Sequence, residues 1–324
     1  MPGACPGHPR KAGKTTQNVD GRDKPGHDVQ VQAETMTSIL TNLFDGVAYG
    51  MLLFVLACGL AVTLGLMNFV NLAHGAFAMA GGYVCMVLVN RMGWPFFAAL
   101  PLAFVSAAAI GIVLERTLYR HLYARSHLDQ VLFTIGLTFM SVAAVDYIQG
   151  SSRVFINLPV ALQGQFDVFG VGIGRYRLMI IVICGLLTIG LQMVLAKTRF
   201  GSRLRAAVDD PRAASGLGIN VPQVFAFTFA FGCGLAGLGG ALSAEILGLD
   251  PYFPLKFMIY FLIVVTVGGS SSITGPFLAS LLLGIGDVAG KYYVPKMGPF
   301  VIYTMMIVIL IWRPNGLFGR TAAR

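Results

Sequence analysis

The sequence predicts an all-α, polytopic integral membrane protein of about eight transmembrane helices, with discontinuous segments and an internal repeat. Three observations predict it. Hydrophobic residues make up 56% of the chain and charged residues only 11%, against about a quarter charged in soluble domains. Long stretches carry no Asp, Glu, Lys or Arg, and they reach the roughly 20 apolar residues that a helix needs to cross the hydrocarbon core. Forty glycines and 15 prolines suit such spans, because transmembrane helices carry more of both than soluble ones. The formal charge of +9 sits between the neutral runs, with no RNA- or DNA-reading motif, so it orients the chain in membrane lipid and does not point to nucleic acid. The five cysteines follow no metal or disulfide spacing, and Cys58, Cys85, Cys184 and Cys233 lie inside apolar segments as small hydrophobes.

Residues 1–35 are Gly-, Pro- and polar-rich and lack the apolar core of a signal peptide. They are expected to be a disordered or mis-annotated extension, with Met36 as the natural start, a membrane domain over 36–319 and a short tail over 320–324. Residues 46–90 are neutral and long enough for two spans with a break near Met67 to Asn71. Residues 92–114 make a third, 129–149 a weaker fourth carrying Asp146, and 178–196 a clean fifth. The neutral run 213–244 holds another after a polar lead, 257–286 holds two shorter passes interrupted at Gly268 to Pro276, and 297–312 supplies the last.

Orientation follows from basic residues in short loops, which stay on the cytoplasmic side. Arg116, Arg120 and Arg125 form one cluster, Lys197, Arg199, Arg203, Arg205 and Arg212 a second, and Arg313, Arg320 and Arg324 a third. Even numbers of crossings separate them, so all three fit inside. The first membrane helix then starts outside, and Arg153, Arg175 and Arg177 fall in an outer loop. Arg10, Lys11, Lys14, Arg22 and Lys24 contradict that arrangement, which is the reason for doubting residues 1–35.

Two nucleotide-site resemblances fail on inspection. Gly13-Lys14-Thr15 lacks the earlier glycine of a phosphate-binding loop, because His8 stands there and no strand precedes it. Gly232, Gly234 and Gly237 have dinucleotide-fingerprint spacing but sit inside an apolar run. The same segment reads better as a packing stripe: Gly232, Ala236, Gly240 and Ala244 recur every fourth residue and let helices approach closely. Gly46 with Gly50 and Gly286 with Gly290 repeat the pattern. No catalytic or metal-ligating constellation stands out, so a membrane enzyme is poorly supported.

The polar breaks are the candidate translocation-path elements. Asn68, Asn71, His74 and Gly75 interrupt the first, where Asn71 is expected to cap a half-helix starting at Leu72. Gly268, Gly269, Ser270, Ser271 and Thr274 belong to the second. Polar backbone at membrane depth survives only when buried in protein or lining a cavity; tight loops at a membrane face are the plainer alternative.

The inner loop from Lys197 to Pro222 has the marks of a docking element. Asp210 precedes Pro211 as an N-cap, Gly218 closes the short helix, and Pro222 stops its extension. Asp209 and Arg212 supply rim charges, and Ala213 and Ala214 a small-residue surface. The motif DDPRAASGLGINV resembles the coupling loop of ABC-importer permeases. Together with NLAHGAFAMAGGYV, VGGSSSITGP and RPNGLFG it resembles the Liv-type (LivH-like) branched-chain amino acid permeases, in the family's order, from Met36 to Gly319. Ala76 departs from the family, many members of which carry Glu after His-Gly.

The resemblance implies an ABC-importer permease domain over 36–319 in a bacterial inner membrane. It implies a second homologous permease, two cytoplasmic ABC ATPases and a periplasmic substrate-binding protein. ATP and Mg would be used by the ATPase, with no cofactor, metal or catalytic residue in this chain. Amino acids, above all branched-chain ones, are the expected cargo, with urea and amides as alternatives. An ion-coupled secondary transporter is the rival, but it predicts intramembrane acidic relays, for which this chain offers few candidates.

Overall fold

The computed structural model describes residues 25–67, 69–123, 125–168, 171–269 and 273–318, with side chains from Met36 onward except Leu66 and Val168. Asn68, Ser270, Ser271 and the tail 320–324 therefore lie outside the described residues, as does most of the N-terminal extension.

The first helix, α1 (Pro25–Met67), begins earlier than composition suggests. Residues 25–35, expected to be irregular, are helical, because beyond Pro25 and Gly26 they contain no helix breaker and end in the helix formers Gln32, Ala33 and Glu34. The chain then breaks and resumes as α2 (His74–Met86), which runs into a π-helical turn at Val87–Arg91. Next come α3 (Phe96–Thr117) and α4 (His127–Gln149). The loop after α4 carries an antiparallel hairpin of β1 (Gln165–Val168) and β2 (Val171–Gly174), and leads into α5 (Arg175–Lys197). Two short helices follow, α6 (Arg199–Asp209) and α7 (Pro211–Gly216). The C-terminal half comprises α8 (Val221–Ser243), α9 (Phe253–Gly268), α10 (Thr274–Tyr293) and α11 (Gly298–Trp312).

Among the described residues, five helices are long and apolar enough to cross a membrane: the Met36–Gly65 part of α1, and α3, α4, α5 and α8. The apolar helices α9 and α11 are shorter. Length and apolarity alone thus do not establish the expected count of eight, since the broken and short segments fall below the threshold for a lone span.

Burial sorts these helices into a centre and a shell. The membrane window of α1 is 83% buried and that of α8 78%, whereas α3, α4 and α5 are buried over only 28%, 17% and 22% of theirs. Apolar surface exposed on this scale is incompatible with water but suits lipid contact. Close packing at the centre depends on small residues. A Cβ on Gly240 of α8 would overlap the Ala78 carbonyl of α2, and one on Gly237 would meet Ala107 of α3. Gly232 faces Gly59 of α1, so the stripe read from the sequence lies buried between helices. Gly46 and Gly50 pack on α10, while Gly286 and Gly290 face Met305 and Val301 of α11.

On one face of the bundle lie the ends of α3, α5 and α11 with their basic residues. The Tyr123 ring after α3 packs against Phe225 at the start of α8, and Leu317 after α11 donates its N–H to Val267 at the end of α9 (2.7 Å). On the opposite face the α4–α5 loop is strapped down. Val154 and Leu249 form an isolated bridge, Asn90 Nδ2 donates to the Phe155 carbonyl (2.8 Å), and the Asn157 N–H donates to Asn90 Oδ1 (2.9 Å).

Candidate functional site

The connection from α5 to α8 folds as a packed element. Thr198 caps α6 by accepting from the Gly201 N–H (3.3 Å). The spacing of Gly201, Leu204 and Ala207 then buries one face, leaving Arg203 and Arg205 outward. Asp210 caps α7 as expected, its Oδ1 accepting from the Arg212 and Ala213 N–H groups (2.9 and 3.0 Å). Gly218 at φ +83° ends the turn in a conformation that suits glycine, and the Ile219 N–H donates back to the Ala214 carbonyl (3.0 Å). Asn220 accepts from the Gln223 N–H (3.1 Å) and starts α8, where Pro222 occupies the first turn.

Leu204, Ala207, Ala214, Val221 and Val224 form a separate small core, with Leu195, Phe200 and Phe225 packed against it. This corrects one expectation. Ala214 is only 2% exposed and belongs to the packing between α6, α7 and α8, so it offers no docking surface. Asp209, Arg212, Ala213 and Gly218 are exposed. The outward apolar residue is Leu217, 81% exposed at the rim of a groove of about 610 Å³ also lined by Phe200, Arg203, Gln223 and Phe227. The sequence signal for Leu217 was its place between two glycines just after the helix, where an apolar side chain has no local neighbour to cover it.

In the first membrane break, the helix starts at His74 rather than Leu72. Asn71 nevertheless performs a capping-like role, its Oδ1 accepting from the Ala73 N–H (3.1 Å) and from the Tyr119 O–H (3.2 Å). The amides expected to point at a solute or a loop are met by α4: Val70 N–H donates to Gln130 Oε1 and Leu72 N–H to Thr134 Oγ1, both at 3.2 Å. Gln130, Thr134 and Thr138 recur every fourth residue on an otherwise apolar helix, a polar stripe that the sequence displays and that marks this contact. His74 is buried, its Nε2 lying 3.0 Å from the Leu56 carbonyl, which accepts from the Nε2–H tautomer. Gly75 is pressed against Pro254 of α9, where a Cβ would come within 2.8 Å of the Pro254 Cα.

The second break is closed by the C-terminal turn. Gly268 and Gly275 lie backbone to backbone, Gly269 has φ +86°, and the Phe318 N–H donates to the Gly268 carbonyl (3.3 Å). Thr274 opens α10 and is exposed. The two breaks are not brought into one site. The first packs against α3, α4 and α9, and the second against residues 316–318.

A bundle with lipid-facing α3, α4 and α5, two interrupted segments and a rigid basic lever on one face defines a multi-pass membrane transport protein. Residues 42–310 match the family described as "Branched-chain amino acid transport system / permease component", and the chain belongs to that family. It is similar to the high-affinity branched-chain amino acid transport system permease protein LivH of Escherichia coli K12, at 28% identity over 89% of this chain and 98% of the relative. The corresponding protein BraD of Pseudomonas aeruginosa is 28% identical over 87% of this chain and 96% of its own length. LivM, a second high-affinity branched-chain amino acid permease protein of E. coli K12, is 24% identical over 84% of this chain and 68% of its own. No solved structure matches the chain.

Proposed function

We propose that this chain is one permease subunit of an ATP-driven importer of branched-chain amino acids in a bacterial inner membrane, working with a second permease, two ABC ATPases and a periplasmic binding protein. The observation that carries the reading is the packed α6–α7 element. It is too elaborate for a mere connection: two capped helices share a small core with the end of α5 and the start of α8, and Leu217 is held outward in water. An exposed leucine on a rigid support, sharing a groove with Phe200, Arg203 and Phe227, offers a protein partner an apolar contact at little ordering cost. A pull or push on α7 is carried by the Ala214 contact into α8, the helix that packs on α1, α2 and α3 at the centre of the bundle. ATP and Mg belong to the partner in this scheme. That E. coli has two relatives of this chain, LivH and LivM, supports a pairing of unlike permeases.

The test is co-expression with the cognate ATPases and binding protein, followed by leucine uptake. Leu217→Asp is expected to leave the permease in the membrane, with an unchanged unfolding temperature, while ATPase co-purification and uptake fall at least about tenfold, the size of a lost anchor of roughly 1.4 kcal/mol or more. Uptake of leucine down an ion gradient by the purified permease without any ATPase would favour the secondary-transporter reading and overturn this one.

A further inference from the structure

Between the middle of α1, the start of α5 and the end of α10 lies a cavity of about 260 Å³, with Ile246 and Leu247 of the α8–α9 connection on its wall. Four charged residues line it: Asp45, Arg177, Asp287 and Lys291. They form two ion pairs. Arg177 pairs with Asp45 Oδ2, and Lys291 Nζ lies 2.5 Å from Asp287 Oδ2. The pairs do not exhaust their members. The Oδ1 atoms of both carboxylates are buried and have no hydrogen-bond donor among the described residues, and the Asp287 side chain is fully enclosed. Arg177 and Lys291 are respectively 43% and 51% exposed at their side chains, and each has more donors than a single contact uses.

An orphaned buried carboxylate oxygen is costly, at about 1–3 kcal/mol or more, and intramembrane acidic groups are rarely kept without a role. Two such oxygens, on residues that line one cavity beside two cations with spare donors, are the elements of a receptor for opposite charges held close together. Once the side chains of Asp45 and Asp287 turn these oxygens toward the cavity, an ammonium would donate to them, and a carboxylate would accept from the Arg177 fork and Lys291. The volume lies below the roughly 300–1,000 Å³ of drug-sized sites, which selects a small ligand, and Ala48, Ile246 and Val288 give its side chain an apolar wall.

We propose that this cavity is an outward-facing subsite for the ammonium and carboxylate of a free α-amino acid. The proposal deepens the importer reading and rests on it. In the sequence alone Asp45 and Asp287 are only ionisable groups near apolar segments; their cationic partners come from another helix and from the next turn.

The test uses the complete transporter in nanodiscs of phosphatidylglycerol, without binding protein. Val288→Cys places a thiol on the cavity wall, Cys58, Cys85, Cys184 and Cys233 being buried, with Cys5 replaced by Ser. Leucine at about ten times its dissociation constant is expected to slow labelling by a charged thiol reagent about tenfold, while leucinamide and isocaproate, each lacking one charge, do not. Adding Asp287→Asn, or Asp45→Asn, should abolish the protection. Ile246→Cys provides the same readout should Val288→Cys fail to fold. Equal protection by the single-charge analogues, by sodium alone, or only by phosphatidylethanolamine in the bilayer would overturn the proposal, the last marking a lipid headgroup site. ATP-dependent leucine uptake by the wild-type complex is measured in parallel. Uptake without protection sinks the subsite alone, and protection without uptake sinks the importer reading.

Discussion

At the scale of single residues, the glycines of α8 decide whether the central helices can meet. Gly240 has the Ala78 backbone where its Cβ would stand, so even one methyl must push α2 and α8 apart. Gly240→Leu is expected to lower stability by about 1–3 kcal/mol or more through overpacking, read as a lower unfolding temperature and poor assembly. Gly185→Ala is the matched control: it adds a methyl in a helix where nothing lies within 4 Å, and should be neutral or slightly stabilising. A four-residue period was enough to find the stripe, because it depends only on helix geometry. Asn71 was legible as a local cap, and the Ala73 N–H meets it two residues on, but its other partner was not, since Tyr119 meets it only after α3 has folded back. Asn71→Leu leaves the Tyr119 hydroxyl without its acceptor, at a cost of about 1–3 kcal/mol, and thermal unfolding in detergent measures it.

Elements repeat the lesson with helix ends. Asp210-Pro211 and Gly218 could be read directly because caps are local chemistry, and the structure gives Asp210 two amides to accept from. Which alanine faces in and which faces out was not local: Ala214 is turned toward Leu204 and Val221 by the way α6 folds onto α8, leaving Ala213 exposed. Ala214→Glu therefore acts by inserting a charge into the small core. It is expected to loosen the whole element, so that limited proteolysis cuts within 199–220 even without an ATPase present. Ala213→Glu should leave that cleavage pattern unchanged. Identical protection of both variants would show that the α6–α7 core contributes nothing to the rigidity of the loop. The membrane breaks were located for the same local reason, as polar residues in apolar runs, whereas their separate packing depends on which distant helix supplies the donors and acceptors.

For the whole molecule the governing term is the cost of moving charge across lipid, which ties the sidedness of every loop to the basic residues near it. The ends of α3, α5 and α11 carry those residues on one face, and the β1–β2 hairpin with the strapped outer loop lies on the other. Sequence counting puts the basic clusters on one face without a settled number of spans, because only the parity of crossings between them matters. The short segments differ in their surroundings: most residues of α2 are buried among neighbouring helices, whereas α11 exposes most of its apolar surface. Sidedness is open to a direct measurement because Cys58, Cys85, Cys184 and Cys233 are buried and so silent to a membrane-impermeant thiol reagent. With Cys5 replaced by Ser, Gln165→Cys in the hairpin is expected to label in intact cells depleted of their outer membrane. Ser202→Cys, exposed on α6, should label only after the membrane is permeabilised. Labelling in the reverse order would invert the protein, place the α6–α7 element outside, and leave an ATPase in the cytoplasm nothing to hold.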